Sequence, residues 1–176
     1  KDVGKLNSWN MFAPKYIENK LKFCGIIKEA VAFGDNKDFV TCFVNIDLDA
    51  VASWAERNNV AYSGYIDLAG QSSVYDLIAM EIDKVNRDLS QDTELNDSQI
   101  KRFLILHKEL DADDGELTRT NKVRRGLISE RYGMLVDAFY NNKNHCFIET
   151  EVTFEDGRKG SISADLKIKD MNTYDL

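Results

Sequence analysis

Val74, Leu77, Ile78, Ile82, Val85 and Leu89 recur at three- and four-residue steps over more than four helical turns, with charged residues opposite. A helix with so long an apolar stripe has to lie against a broad apolar surface. Three other segments can supply it: "IIKEAVAFG" (26–34), "FVTCFVNID" (39–47) and "IKRFLILHK" (100–108). All are rich in Val, Ile, Leu and Phe and lack clean polar alternation, which predicts strands covered on both faces. The first two flank the turn formers of "GDNKD" (34–38), so they read as an antiparallel pair.

Around this centre the chain predicts further helices. Pro14 suits a first helical turn, where its missing N–H has no partner to lose, and Ile17 and Leu21 follow four residues apart. Asp47 can cap a helix whose apolar face is Leu48, Val51, Ala52 and Ala55. Ile128, Tyr132, Leu135, Val136 and Phe139 mark one more helical face. Beyond "YNNKN" (140–144), "CFIETEVTF" (146–154) and "SISADLKI" (161–168) alternate with period two around Asp156-Gly157, predicting a hairpin. The fold class is therefore α+β: a small mixed/antiparallel sheet with helices packed on it, plus a C-terminal β-hairpin extension. Residues 1–140 read as the main domain and residues 141–176 as a linker and hairpin packed on it.

Charge narrows the function classes. The formal net charge is −7, so binding of nucleic acid over the whole surface, which needs excess positive charge, is not expected. Any bound anion must meet a local basic patch. No apolar run is long enough for a membrane span. Cys24, Cys42 and Cys146 contain no Cys-x-x-Cys pair and read as free buried thiols of a cytosolic protein. With only His107 and His145 as imidazoles, no metal site is expected, and both histidines read as structural. The first residue is Lys rather than Met, which predicts a piece of a longer protein.

One stretch stands apart. "DGELTRTNKVRRG" (114–126) gathers Arg119, Lys122, Arg124 and Arg125 directly behind Glu109, Asp111, Asp113, Asp114 and Glu116. Residues 114–125 contain a single glycine, Gly115, which rules out a Walker-type phosphate cradle, and no G-x-G-x-x-G occurs. Two readings stay open. The basic residues could be a solvated helix start that balances the acidic run. Alternatively Lys122, among Thr118, Thr120 and Asn121, sits on an exposed loop where an ammonium can reach a phosphate or carboxylate.

"DDGELTRTNKVRR" resembles the C-terminal signature of AMP-forming acyl-CoA synthetases of the adenylate-forming superfamily. Leu117 to Lys122 shows the Leu-Thr-x-Thr-x-Lys form of the long-chain fatty acid ligases, with Asn121 where the common form has Gly. "KDVGKL" at the start resembles the hinge motif of that family's small C-terminal domain, and "FAPKYIENKLKF" with "IKEAVAFGD" resembles the helix and strand behind it. "NIDLDAVASWAERNN" and "LISERYGMLVDAFY" resemble the bacterial long-chain branch.

The resemblance implies a lid domain that swivels between two half-reactions, acyl-adenylate formation and transfer of the acyl group to coenzyme A. It implies Lys122 as the adenylation lysine, Asp2 as the hinge, Gly4 and Lys5 on the face used with coenzyme A, and Arg119, Arg124 and Arg125 as phosphate contacts. It implies that the fragment alone binds no cofactor, and that ATP, magnesium, coenzyme A and fatty acid belong to the whole enzyme. Its partner would be the missing N-terminal adenylation domain of the same chain. The whole enzyme would be cytoplasmic, at the membrane periphery. A lid from a ligase of another acyl or aryl acid class, and a non-catalytic interaction module, are the alternatives.

Overall fold

In the computed structural model, which describes residues 3–175, the three apolar segments form one sheet, to which a short strand near the C-terminus adds a fourth. A two-residue pair, β1 (Gly4–Lys5) and β2 (Met11–Phe12), precedes helix α1 (Pro14–Lys22). Strands β3 (Ile27–Phe33) and β4 (Val40–Ile46) pair antiparallel, as expected for a short connection. Helices α2 (Leu48–Arg57), α3 (Tyr65–Ala69) and α4 (Ser72–Ser90) then cross over to β5 (Ile100–Ile105), which lies parallel to β4. A parallel neighbour needs such a crossover, and the long stripe of α4 supplies its buried face. Helices α5 (Arg125–Arg131) and α6 (Gly133–Tyr140), the hairpin β6 (His145–Thr153) and β7 (Lys159–Lys167), and the short β8 (Lys169–Asp170) complete the chain.

The strand alternation explains why these strands looked apolar throughout. Cys42, Val44 and Ile46 of β4 face a core built with α1, α2 and α4, whereas Phe43 faces a second core under α5, α6 and the hairpin. On β3, Ala30 and Ala32 take the first side, Val31 and Phe33 the second. Both faces of the sheet are covered, so both rows are mainly apolar, and the polar side chains among them, Thr41 and Asn45 of β4, are buried with hydrogen-bond partners.

In the second core Phe43 packs edge-on against Phe33 and Tyr132, with ring centroids at 4.8 and 6.0 Å, and lies 5.7 Å from Phe139. The hairpin contributes Ile148 and Leu166 to the same core. Its tip turns at Gly157, whose φ of 85° is left-handed, and Asp156 Oδ1 accepts the Arg158 N–H at 3.0 Å.

Three expectations are corrected. The stripe from Ile128 to Phe139 is buried throughout, but on two helices. The chain breaks at Tyr132, with φ −104° and ψ 24°, directly before Gly133, and the break lets the Tyr132 ring reach Phe43 while its hydroxyl turns to Glu116. The third strand ends at Ile105 rather than 108. Buried Asn45 takes over the next backbone groups, donating to the Lys108 carbonyl and accepting the Leu110 N–H, each at 2.8 Å. Of the cysteines only Cys42 is buried, while Cys24 and Cys146 are half-buried.

The tail was not legible as structure. β8 adds a fourth strand antiparallel to β5. Buried Asn86 of α4 donates to the Ile100 and Asn172 carbonyls and accepts the Ile100 N–H, tying helix, strand and tail together. Buried Arg102 likewise pairs with Asp170 at 2.7 Å and donates to the Phe139 and Lys143 carbonyls, closing the end of α6.

Candidate functional site

Residues 116–124 form a small hairpin of their own. The Arg124 N–H donates to the Glu116 carbonyl at 2.9 Å, Leu117 and Val123 bridge antiparallel, and the Thr118 N–H donates to the Lys122 carbonyl at 2.8 Å. The Asn121 N–H closes the tip onto the Thr118 carbonyl at 2.9 Å. Thr118 Oγ1 accepts the Lys122 N–H at 3.1 Å and lies 3.1 Å from Thr120 Oγ1. Asn121 has φ of 61°, the left-handed conformation that Asn tolerates best after Gly. That is the physical reason an Asn can stand where the common motif has Gly.

Beneath the tip lies a buried ion cluster. Glu116, fully buried, accepts Lys108 Nζ and the Asp111 N–H on Oε1, and the Tyr132 hydroxyl on Oε2, with Arg131 Nη1 at 3.3 Å from the same oxygen. Lys108 Nζ also meets Asp114 at 3.0 Å. Two cations therefore face two carboxylates, Lys108 from inside and Arg131 from the solvent side, and each carboxylate is hydrogen-bonded. Asp114 Oδ1 accepts the Thr153 N–H at 3.0 Å, which ties β6 to the cluster. The sign switch of the sequence is thus partly internal pairing.

The arginines divide accordingly. Arg125 makes a two-pronged contact with buried Glu18, at 2.6 and 2.8 Å, and donates to the Ala32 carbonyl. Arg124 Nη1 donates to the Gly115 carbonyl at 2.9 Å. Arg119 and Lys122 are exposed on the tip, and neither side chain has a protein partner among the described residues.

Of the expected second face, Asp2 lies outside the described residues. Gly4 and Lys5 sit on β1, docked on the turn after β3. Asp35 Oδ1 accepts the Lys5 N–H at 2.9 Å, and a Cβ on Gly4 would collide with that same carboxylate and force it to move. Lys5 Nζ lies 5.3 Å from the ring of exposed Trp9, within reach of a cation–π contact. A hollow of about 420 Å³ lies beside this corner, lined by Asp35, Lys37, Arg125 and Gly126 among others. None of Gly4, Lys5 and Lys122 is among the residues that line it.

No nucleophile stands out among the remaining groups. Burial pushes the Cys42 thiol well above its ordinary range, and burial likewise raises Cys146. Tyr132 and Tyr75 are held protonated by burial. Among the described residues no three His, Cys, Asp or Glu side chains gather to hold a metal ion, and no helix is long and apolar enough to cross a membrane.

His107 is a structural clamp. Its Nε2 pairs with Thr150 Oγ1 of β6 at 2.9 Å, while Nδ1 is buried with no partner. Burial, helped by the Lys108 charge, lowers its pKa from 6.5 to about 4. Below the unfolded pKa of 6.5 the unfolded chain binds a proton that the folded chain refuses. Stability is therefore expected to fall as pH drops from 6.5 to about 4, by up to roughly 3 kcal/mol, and to lose no more from this group below that. Denaturant unfolding of wild type and His107→Gln across this window checks it, since a pH-independent difference between the two would contradict the assignment.

No protein-family profile matches the chain. It is 34% identical over 132 residues to a long-chain-fatty-acid–CoA ligase of Mycobacterium tuberculosis, covering 74% of this chain and 21% of the ligase. It is 23% identical over 156 residues to a long-chain-fatty-acid–CoA ligase of Rattus norvegicus, covering 80% of this chain and 22% of that protein. The chain thus spans about a fifth of the length of the relatives it matches. Among solved structures it resembles the A domain of a carboxylic acid reductase from Segniliparus rugosus in complex with AMP and a carboxylic acid. That match has a TM-score of 0.60 at 16% identity, covering 80% of this chain and 20% of that one. It also resembles the adenylation domain of a carboxylate reductase from Mycobacterium chelonae, with a TM-score of 0.58 at 16% identity over 80% of this chain and 19% of that one. The chain is thus a homologue of the long-chain-fatty-acid–CoA ligases over about three quarters of its own length and about a fifth of theirs.

Proposed function

We propose that the chain is the C-terminal lid of an ATP-dependent, AMP-forming long-chain acyl-CoA synthetase, and that Lys122 is its adenylation lysine. The observation that carries this reading is the geometry of the 116–124 hairpin: an unpartnered ammonium at an exposed tip, above a base held by a buried ion cluster. In the first half-reaction a carboxylate oxygen attacks the α-phosphorus of ATP, the bond to the β-phosphate oxygen breaks, and pyrophosphate leaves. Negative charge builds between carboxylate and α-phosphate, where Lys122 Nζ supplies a positive charge without exchanging a proton. In the second, the thiol sulfur of coenzyme A attacks the acyl carbon, its proton is lost, and AMP departs.

Lys122 acts in the first half-reaction alone. Rotation about Asp2 replaces it with the face that carries Gly4 and Lys5. Of Arg119, Arg124 and Arg125, Arg119 is the one whose side chain has no protein partner among the described residues, so it is best suited to a phosphate, with Arg124 and Arg125 behind it. The lid comprises residues 1–140, and residues 141–176 form an extension that shares its second core. Magnesium, the adenine site and the acyl tunnel belong to an N-terminal adenylation domain of the same chain, and the whole enzyme works in the cytoplasm at the membrane surface. An ATP–pyrophosphate exchange assay on the full-length protein with a panel of carboxylates tests this. Exchange dependent on long-chain fatty acids is expected, and exchange with none of the carboxylates would overturn it.

A further inference from the structure

Lys122 can act only if its ammonium is held in place, and the tip that carries it has little to hold it. Arg119, Thr120, Asn121 and Lys122 are all exposed. The connections to the rest of the fold run down the hairpin through its backbone rungs, 118 to 122, 117 to 123 and 116 to 124, and the last rung is Glu116 itself. Below that rung Glu116 reaches three separate parts of the fold: Lys108 just beyond β5, the Asp111 N–H in the following loop, and Arg131 with Tyr132 at the α5–α6 break.

We infer that Glu116 is a positioning residue for Lys122: its buried carboxylate fixes the base of the hairpin and so aims the ammonium. This rests on the proposed role of Lys122. Nothing in the geometry brings Glu116 to a substrate, because it is fully enclosed by protein. It acts through the backbone ladder, so its removal loosens the tip without touching the face that carries Gly4 and Lys5. A displacement of the order of 1 Å at a reacting centre can cost about 10²-fold in rate.

The test uses the full-length protein and measures the two half-reactions separately. Glu116→Gln keeps the size and one acceptor but removes the charge facing Lys108 and Arg131. Tyr132→Phe removes one anchoring hydrogen bond while Glu116 keeps its pairing with Lys108 and Arg131, and serves where the first variant folds poorly. Both are expected to slow acyl-adenylate formation, by roughly 10- to 100-fold for Glu116→Gln and less for Tyr132→Phe. Transfer from preformed acyl-adenylate to coenzyme A should stay within about twofold, because that step uses the other face. The amides of Asn121, Lys122 and Arg124 should exchange hydrogen faster in both variants while those of β4 do not.

Equal loss in both half-reactions, or no loss in either, would overturn the positioning role. Lys122→Ala is measured alongside. If it shows the split between half-reactions and the Glu116 and Tyr132 variants do not, the positioning inference fails alone. If Lys122→Ala shows no split, the role of Lys122 fails first.

Discussion

Lys122→Ala in the full-length protein is expected to slow acyl-adenylate formation by roughly 10²–10³-fold and to leave transfer from preformed acyl-adenylate to coenzyme A unchanged. The size follows from removing a charge aimed at developing negative charge in a closed, water-poor cleft, worth about 3–4 kcal/mol. The selectivity follows from the proposed use of different parts of the lid in the two half-reactions, Lys122 on the 116–124 hairpin in the first and Gly4 and Lys5 on β1 in the second. Stopped-flow or quench measurement of each half-reaction checks both. Equal slowing of the two would mean that the ammonium is a structural charge after all, which its exposed and unpartnered position argues against. Lys122→Arg should recover only part of the lost rate, because a planar fork cannot occupy the site of a compact ammonium.

Phe43→Ala is expected to destabilise the fold by about 3–5 kcal/mol, the range for emptying a buried aromatic site. Phe43 is the hub of the second core, touching rings from β3, from the α5–α6 break and from α6. The cavity would open beside Tyr132, which holds Glu116, so loosening should spread to the hairpin of Lys122. Denaturant unfolding gives the magnitude. A loss below about 1 kcal/mol would show that the two layers on this face are not coupled through the ring.

Much of the fold could be read from periodicity. The α4 stripe, the antiparallel β3–β4 pair and the β6–β7 hairpin are local patterns, each with its turn or cap nearby, and each forms close to where it was expected. The errors lie where a tertiary contact overrides a local pattern. The α5–α6 break carried a signal, Gly133 in the middle of an apolar stripe, but the stripe alone could not say that Tyr132 had to turn toward Glu116. β8 carried none, because two residues have no period and the strand exists only by pairing with β5.

The site divides in the same way. The exposed position of Lys122 was legible, since its neighbours along the chain are short and polar. Its support was not. Glu116 reads as one more member of an acidic run, and the groups that use it, Lys108, Arg131 and Tyr132, lie 8, 15 and 16 positions away without periodic relation. Arg125 looked equivalent to Arg119, but the fold commits it to Glu18, 107 residues distant.

What the sequence by itself determined are properties set by neighbours along the chain: helix faces, strand pairs, turn residues and a motif with an exposed lysine. Only the tertiary structure decided which charges are paired and buried, because that depends on the dielectric and on partners brought together from far apart. It left Lys122 in water and placed Glu116 inside. A carboxylate surrounded by protein has to find its cations there, and in finding them it anchors the hairpin at whose tip the lysine stands.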